Sequence, residues 1–477
     1  TQQDGGDMRA LAVNEGYRRA NLWWQPDRGG ATVVSDGEKA DGGNTYNVLT
    51  VTPRNGKNFD AWFDAKSHLL SRVVEMQSTQ TFTTTLSDYR AENGVQIPHK
   101  IHTGNGNAQY DQDMTATSVA FLPAQSASAY AAPKVMLSDY AIANGAKETT
   151  FPFHLYNNHI YADVKVNGKG PYQFIFDTGG VNLLTPPLTK ELGLSAEGHM
   201  QGNGGGDGHM DVQLVKVSSL QLGDATVKDQ VFAQIPLNTM GVIEGVDMPG
   251  MVGFETFRRF VTRIDYGAHT MTLIRPDAFN PKDAGTAVPI KFDGNTIEVP
   301  ATYDGVQGNF IVDTGNRASL ILNSPFVAAH AQFAKYSTAP EAVTGWGIGG
   351  PTKSHVIRGT GLVIGDQHVD APVVLLSTAT KGSDADASQS GNIGGGVLKR
   401  FVVTLDYEHQ KMYLKPVTQP VADLDSFDRS GLWINKSATG YSVVDVTKGT
   451  PADAAGLKAG DEIVSVDGKP ATATPLY

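Results

Sequence analysis

The sequence contains no cysteine, which excludes disulfide bonds, a cysteine nucleophile and cysteine-ligated zinc. It has no apolar run of the ~18 residues that a membrane-spanning helix needs. Basic residues are outnumbered by acidic ones, 38 against 49, and no basic patch is interleaved with aromatic residues. Nucleic acid is therefore not expected as a partner, and the net charge of −11 disfavours an anionic membrane surface.

What the chain does have is glycine, 53 residues in 477, together with short alternating apolar runs. This composition predicts a mostly β protein with many turns, and the length corresponds to about three domains. In residues 1–130, runs such as TYNVLTVTP (45–53) predict strands joined by Gly and Asn turns. The Ala/Ser/Pro-rich stretch 123–134 is interpreted as a linker.

An internal repeat dominates the middle of the chain. QFIFDTGG (173–180) recurs as NFIVDTGN (309–316), and GMVGFETFRRFVTRIDY (250–266) recurs as GNIGGGVLKRFVVTLDY (391–407). A third pair of similar segments lies between these two in both copies. Repeated blocks in the same order indicate a duplicated domain. We place the two copies at 135–282 and 283–417.

In each copy an apolar strand runs into Asp-Thr-Gly, which places Asp177 and Asp313 at the ends of buried strands. A buried carboxylate is costly unless it is hydrogen-bonded or shares a proton. Two such loops related by a pseudo-twofold axis would bring the carboxylates face to face, and the pair would then hold one proton. The ionised member can take a proton from water while the protonated member polarises a peptide carbonyl.

The D-T-G loop and the later Gly-hydrophobic-hydrophobic-Gly block resemble the retropepsin-like aspartic proteases. The block's counterparts here are Gly250 to Gly253 and Gly391 to Gly394. The resemblance implies a bilobal acid-protease β fold with both halves in one chain, as in the pepsin-like enzymes. It implies the following residues for catalysis and for support of the catalytic loops: Asp177, Asp313, Thr178, Gly179, Thr314 and Gly315.

The family also has glycine-rich flaps that close over the substrate, and GNGGG (202–206) and GWGIGG (345–350) match them. Plain flexible loops are the alternative interpretation. The flap and substrate-binding residues implied are Gly202, Gly204, Gly205, Trp346, Gly347 and Gly349. One departure is that Gly180 and Asn316 stand where the family has Ala or Ser. The hydroxyl that often supports the carboxylate is therefore expected to be missing, which affects the rate more than the fold.

The flanking segments resemble other families. Residues 418–477 resemble the start of a bacterial protease-associated PDZ domain, on Ser430-Gly431-Leu432-Trp433 and GTPADAAGLKAGDEIVSVDG (449–468). This implies that a peptide C-terminus binds at Gly431, Leu432 and Trp433. We expect the PDZ domain to continue beyond Tyr477.

Residues 1–130 resemble the LolA/LolB-like lipoprotein-carrier half-barrel, on FDAWFDAKSHLLSRV (59–73) and DYRAENGVQIPHKI (88–101). This resemblance implies a bacterial periplasmic or cell-envelope protein. Any targeting signal is expected upstream of Thr1.

The sequence thus predicts an aspartic endopeptidase that acts on peptides or unfolded proteins as a monomer, with no cofactor and no metal site. The alternative is a catalytically inactive envelope protein that binds peptides or lipoproteins through the protease-like core and the PDZ domain. A site formed between two chains is disfavoured by the two D-T-G loops per chain. Asp265 and Asp406 also recur, and we interpret them as hairpin-turn carboxylates away from the pair.

Overall fold

The structure is a computed structural model that describes residues 6–20, 30–77, 80–131, 137–202, 204–419, 421–422, 424 and 426–477. Residues 132–136, where the predicted linker ends and the first repeat begins, lie outside the described residues, as does Asn203 of the first glycine cluster. The chain divides into two compact units, Gln3–Leu137 and Ser138–Tyr477. In the described residues, no helix has the length and apolar character needed to cross a membrane.

The first unit is an antiparallel sheet in which each strand pairs with the next along the chain, as the alternating pattern predicted. Its elements are α1 Gly6–Arg19, β1 Thr32–Asp41, β2 Asn44–Thr52, β3 Phe59–Asp64, β4 Leu70–Gln77, β5 Gln80–Glu92, β6 Val95–Gly104 and β7 Gln112–Thr115.

Helix α1 corrects the expectation of strands throughout this segment. Acidic Asp7 in its first turn and basic Arg18 and Arg19 in its last turn complement the helix dipole. Asn14 and Arg18 both donate to the Glu75 carboxylate on β4, at 3.3 Å and 2.9 Å, so the helix is fixed by tertiary contacts. Tertiary contacts of this kind outweigh weak local propensity.

The second unit contains both repeats. The first repeat consists of β8 Tyr140–Ile142, β9 Glu148–Pro152, β10 His154–Tyr156, β11 His159–Val166, β12 Lys169–Phe176, β13 Leu183–Leu184, α2 Pro186–Leu192, β14 Ala196–Gly202, β15 Met210–Leu222, β16 Ala225–Gln234, α3 Gly241–Glu244, β17 Gly250–Val252, α4 Phe254–Phe257, β18 Val261–Asp265 and β19 Thr270–Ile274.

The second repeat consists of β20 Thr286–Pro289, β21 Lys291–Asp293, β22 Thr296–Tyr303, β23 Val306–Val312, β24 Leu320–Leu322, α5 Ser324–Ala329, β25 Glu341–Gly347, β26 Gly350–Arg358, β27 Gly361–Ile364, β28 Gln367–Asp370, β29 Val373–Ser377, β30 Gly391–Ile393, α6 Gly395–Leu398, β31 Phe401–Asp406 and β32 Lys411–Pro416. The C-terminal segment adds β33 Leu432–Lys436, β34 Tyr441–Val446, α7 Pro451–Ala454, β35 Glu462–Ile463, β36 Ser465–Val466 and β37 Lys469–Pro470.

The duplication is visible in the strand pairing. In the first repeat β12 runs parallel to β17, and β13 pairs antiparallel with β17. In the second repeat β23 runs parallel to β30, and β24 pairs antiparallel with β30. Equivalent strands in equivalent register show that the repeated blocks form the same substructure twice. The protein is mostly β, with one lobe for each repeat.

A six-stranded sheet joins the two lobes, because β18 of the first lobe pairs antiparallel with β31 of the second. Asp265 and Asp406 end these two strands. Each accepts a turn amide through its Oδ1 atom, from Ala268 at 2.9 Å and from His409 at 3.1 Å. They are hairpin-turn carboxylates, as the sequence indicated. Apolar residues of both lobes form one continuous buried cluster around this sheet.

Candidate active site

The two D-T-G loops are tied together by reciprocal hydrogen bonds of buried threonines. The Thr178 amide donates to Thr314 Oγ1 at 3.1 Å, and the Thr314 amide donates to Thr178 Oγ1 at 3.0 Å. Each hydroxyl then donates across to the other lobe: Thr178 Oγ1 to the Val312 carbonyl and Thr314 Oγ1 to the Phe176 carbonyl, both at 2.7 Å. Both donors and acceptors are satisfied, so the two loops form one rigid platform.

On this platform the carboxyl groups of Asp177 and Asp313 lie close enough for each to influence the ionisation of the other. Each also accepts the amide of the glycine two residues on, Gly179 at 2.7 Å and Gly315 at 2.8 Å. Burial, the charge of Asp313 and the bond between the two side chains raise the pKa of Asp177 well above its usual range. The pair therefore holds a proton where isolated aspartates would both be ionised.

The glycines of the two loops are required by the closeness of the carboxylates. A Cβ atom at Gly315 would lie 2.3 Å from Cγ of Asp177, and one at Gly179 would lie 2.8 Å from Cγ of Asp313. Each carboxylate thus packs directly against the glycine of the opposite loop. Any side chain there would push the pair apart.

The two glycine clusters form the turns of two hairpins, β14–β15 and β25–β26, and their tips are bonded to each other. The Gly349 amide donates to the Gly205 carbonyl at 2.7 Å, and the Gly208 amide donates to the Gly349 carbonyl at 2.8 Å. A Cβ at Gly349 would lie 2.5 Å from the Gly206 carbonyl oxygen, and one at Gly347 would lie 2.5 Å from that of Gly205. Only glycine allows the two backbones to approach this closely.

Two comparisons with protein families match parts of this unit. Residues 162–256, which include the first D-T-G loop and the first glycine hairpin, match the aspartyl protease family. Residues 442–475 match the PDZ domain family. The chain carries an aspartyl protease domain and a C-terminal PDZ domain.

The chain is also similar to solved structures, including the aspartic proteinase from Irpex lacteus. That match has 14% sequence identity and a TM-score of 0.37, and it covers 58% of this chain and 99% of the fungal one. No curated protein sequence matches the chain.

In the protease domain, the two departures after D-T-G have different structural reasons. A Cβ at Gly180 would lie 2.7 Å from Sδ of Met251 and 2.9 Å from Oδ2 of Asp177, so the methionine occupies the space of the usual side chain. In the other lobe, Asn316 donates to Oδ1 of Asn392 at 3.0 Å, and Asn392 donates to Oδ2 of Asp313 at 2.8 Å.

The expected loss of carboxylate support is therefore wrong for Asp313, because an amide replaces the hydroxyl. Sequence reasoning missed Asn392. The available signal was a polar residue inside a block that is otherwise hydrophobic.

A buried hydrogen-bond network also supports the second D-T-G loop of the protease domain. His159 lies 2.9 Å from the Gly315 carbonyl through Nε2 and 3.2 Å from the Glu244 carboxylate through Nδ1. Burial alone would raise the pKa of Glu244, but His159, Arg317 and Asn157 outweigh it and hold that pKa at about 2. No sequence motif marks this network.

The PDZ domain contacts the protease domain through Trp433. Its ring centroid lies 6.2 Å from that of Trp346 on the second flap, and the Arg317 guanidinium carbon lies 4.7 Å from the same ring. Trp433 is only 7% exposed. Of the residues predicted to hold a peptide C-terminus, this one packs on the protease domain.

The amides of the other two predicted peptide-binding residues have partners within the PDZ segment. The Gly431 amide donates to Asp428 at 2.9 Å, and the Leu432 amide donates to Ser430 Oγ at 3.1 Å.

Proposed function

We propose that the protein is an aspartic endopeptidase that hydrolyses peptide bonds with a water activated between Asp177 and Asp313. The observation that carries this proposal is the placement of the two carboxyl groups against the glycines of the opposite loops on the threonine-braced platform, together with the raised pKa of Asp177. A carboxylate pair that shares one proton contains both a base and an acid at the same pH.

The chemistry follows from that shared proton. The ionised carboxylate takes a proton from water as the water oxygen bonds to the peptide carbonyl carbon, while the protonated carboxyl hydrogen-bonds the carbonyl oxygen. The resulting tetrahedral species collapses when a proton passes to the leaving nitrogen and the C–N bond breaks. The pair returns to its starting charge, so neither a covalent intermediate nor a cofactor is needed.

The proposed substrates are peptides or unfolded proteins. The flap tips are hydrogen-bonded to each other, so they must separate before a chain can enter sideways. Apolar side chains from both flaps and the catalytic region, among them Met210, Trp346, Ile348 and Met251, belong to one cluster. Such a surface favours extended segments with apolar side chains.

Cleavage of denatured casein between pH 3 and 7 tests this proposal. Asp177→Asn and Asp313→Asn should each lower the rate by about 10²–10⁴-fold, because each removes the shared proton chemistry. The matched control is Asp265→Asn, whose amide oxygen can still accept the turn amide, and it should retain wild-type cleavage. Absence of cleavage at every pH would favour the inactive peptide-binding alternative. Equal cleavage by all four proteins would show that the cleavage does not depend on Asp177 and Asp313, and it would contradict the proposal.

The remaining proposals rest on the family resemblances of the flanking segments. They are a bacterial periplasmic or cell-envelope location and peptide binding by the PDZ domain. A monomeric state is proposed separately, from the two D-T-G loops in one chain. Fractionation of cells that express the natural protein tests the proposed location. Recovery with cytosolic markers would contradict it.

A further inference from the structure

The two lobes place chemically different side chains at equivalent positions beside the carboxylate pair. Met251 pairs in register with Ile175 in the first lobe, and Asn392 pairs in register with Ile311 in the second. Asn392 donates to Oδ2 of Asp313 at 2.8 Å. A thioether has no hydrogen to donate, so Met251 offers Asp177 nothing comparable.

The orientation of the Asn392 amide is fixed by its neighbour. The Asn316 side-chain oxygen accepts the Ala318 amide at 2.9 Å, which directs the Asn316 nitrogen towards Oδ1 of Asn392 at 3.0 Å. The oxygen of Asn392 is thereby occupied as an acceptor, and its nitrogen faces Asp313. The chain of donors thus runs in one direction, from a backbone amide to the carboxylate.

We propose that Asn392 is a positioning residue that keeps Asp313 ionised and leaves the shared proton of the pair on Asp177. A donor aimed at one carboxylate favours the charged form of that carboxylate. In the proposed reaction Asp313 would then be the base that takes a proton from water, and Asp177 the acid that faces the carbonyl oxygen. The base and acid roles rest on the proposed function, whereas the location of the shared proton does not.

The backbone around Asp177 does not reverse this difference. The amides of Gly179 and Gly180 lie beside that carboxylate and lower its pKa, but burial and the charge of Asp313 outweigh them. The pair as a whole therefore retains a proton at a pH where two ordinary aspartates are ionised.

The other titratable groups near the pair are Tyr266, Tyr407 and Asp384, with the His159 imidazole behind Gly315. Burial raises the pKa of both tyrosines above their usual value, so they remain neutral. Burial also raises the pKa of Asp384 to about 6. Its charge would then appear in the pH range of interest and disfavour charge on Asp313, so an Asp384→Asn background is needed as a control.

The test is a carboxyl ¹³C NMR titration of aspartate-labelled protein from pH 3 to 7, together with the pH profile of kcat/KM on a short peptide. Asn392→Leu keeps the shape of the side chain and removes the donor. This variant should raise the lower apparent pKa of the pair by about one unit. On the acidic side of the pH profile, kcat/KM should therefore fall about tenfold. Asn316→Ala frees the Asn392 amide to rotate, so it should raise the lower apparent pKa by a smaller amount. This second variant keeps the test usable if Asn392→Leu fails to fold.

An unchanged lower apparent pKa in both variants would overturn the assignment. So would a loss of kcat/KM by the same factor at every pH, because that indicates a purely structural role. A shift that disappears in the Asp384→Asn background would assign the effect to Asp384 instead. The NMR titration needs no turnover, so a protein that cleaves nothing would refute the proposed function while the proton assignment could still hold.

Discussion

At the scale of single residues, two buried glutamates outside the catalytic pair respond to pH in opposite directions. Glu298 on β22 is 1% exposed, and burial, followed by the nearby charges of Asp293 and Asp386, raises its pKa to about 7. Glu244 has a pKa of about 2 because of His159 and its neighbours. The contribution of each group to the stability of the protease domain therefore changes with pH in a predictable direction.

For Glu298 we expect stability to fall as the pH rises. Its pKa is raised above the ordinary value of 4.5, so the folded protein binds the proton more tightly than the unfolded chain. Between pH 4.5 and about 7 the free energy of unfolding should decrease by up to about 3 kcal/mol. Urea unfolding at pH 4–8 measures this. Glu298→Gln should remove the slope, and a slope of equal size in the variant would contradict the assignment.

For Glu244 the sign is the reverse. Its pKa is lowered from 4.5 to about 2, so the stabilisation is present above pH 4.5 and is lost as the pH falls towards 2. The loss amounts to about 3 kcal/mol, and Glu244→Gln should be destabilised at pH 7 and should show less of this acid-dependent loss. Glu462→Gln is the control, because the pKa of Glu462 is also lowered but its side chain is exposed to solvent. Equal acid sensitivity of wild type and Glu244→Gln would exclude this role.

At the scale of elements, the flap hairpins depend on backbone contact between the two lobes. In Gly349→Ala the new methyl group would lie 2.5 Å from the Gly206 carbonyl oxygen, which a backbone atom cannot relieve by rotating. We expect the flaps to separate and kcat/KM for a peptide to fall by about 10²-fold, the scale of a misplacement of about 1 Å.

Gly361→Ala on β27 is the matched control, since its methyl group would meet nothing nearer than 3.8 Å. Its activity should equal that of wild type. A fully active Gly349→Ala would show that flap closure is not required.

The pairing of the two D-T-G loops could be predicted from the sequence, because the repeat carries the same local pattern twice. When two apolar strands each end in D-T-G, the two loops can pair about a pseudo-twofold axis. The reciprocal threonine hydrogen bonds follow from that pairing. The sequence marks Asn392 only as a polar residue in a mostly apolar block. Its contact with Asp313 could not be predicted, because it depends on the register of β30 beside β23. His159 contacts Gly315 across 156 positions of chain, a proximity that no local pattern indicates.

At the scale of the whole protease unit, Trp433 couples the PDZ domain to both the second flap and the catalytic loop. In Trp433→Ala we expect the flap amides of Gly208 and Gly349 to exchange hydrogen for deuterium faster, by about tenfold, since about 1.4 kcal/mol of ring contact would be lost. Mass spectrometry of flap peptides measures this. Trp433→Phe keeps a ring and should show a smaller increase. Identical exchange in all three proteins would mean that the PDZ domain does not stabilise the closed flaps.

The paired flap tips have a topological consequence. The lobes are joined below the carboxylates by the Thr178 and Thr314 bonds and again by the bonds of Gly205 and Gly349 at the flap tips. Together with the chain of each lobe, these two junctions complete a ring. A polypeptide held between them is encircled, and it can leave sideways only when the ring opens. Threading a free end and opening the ring are thus distinct entry routes, and a cyclic peptide, which has no end, can use only the second.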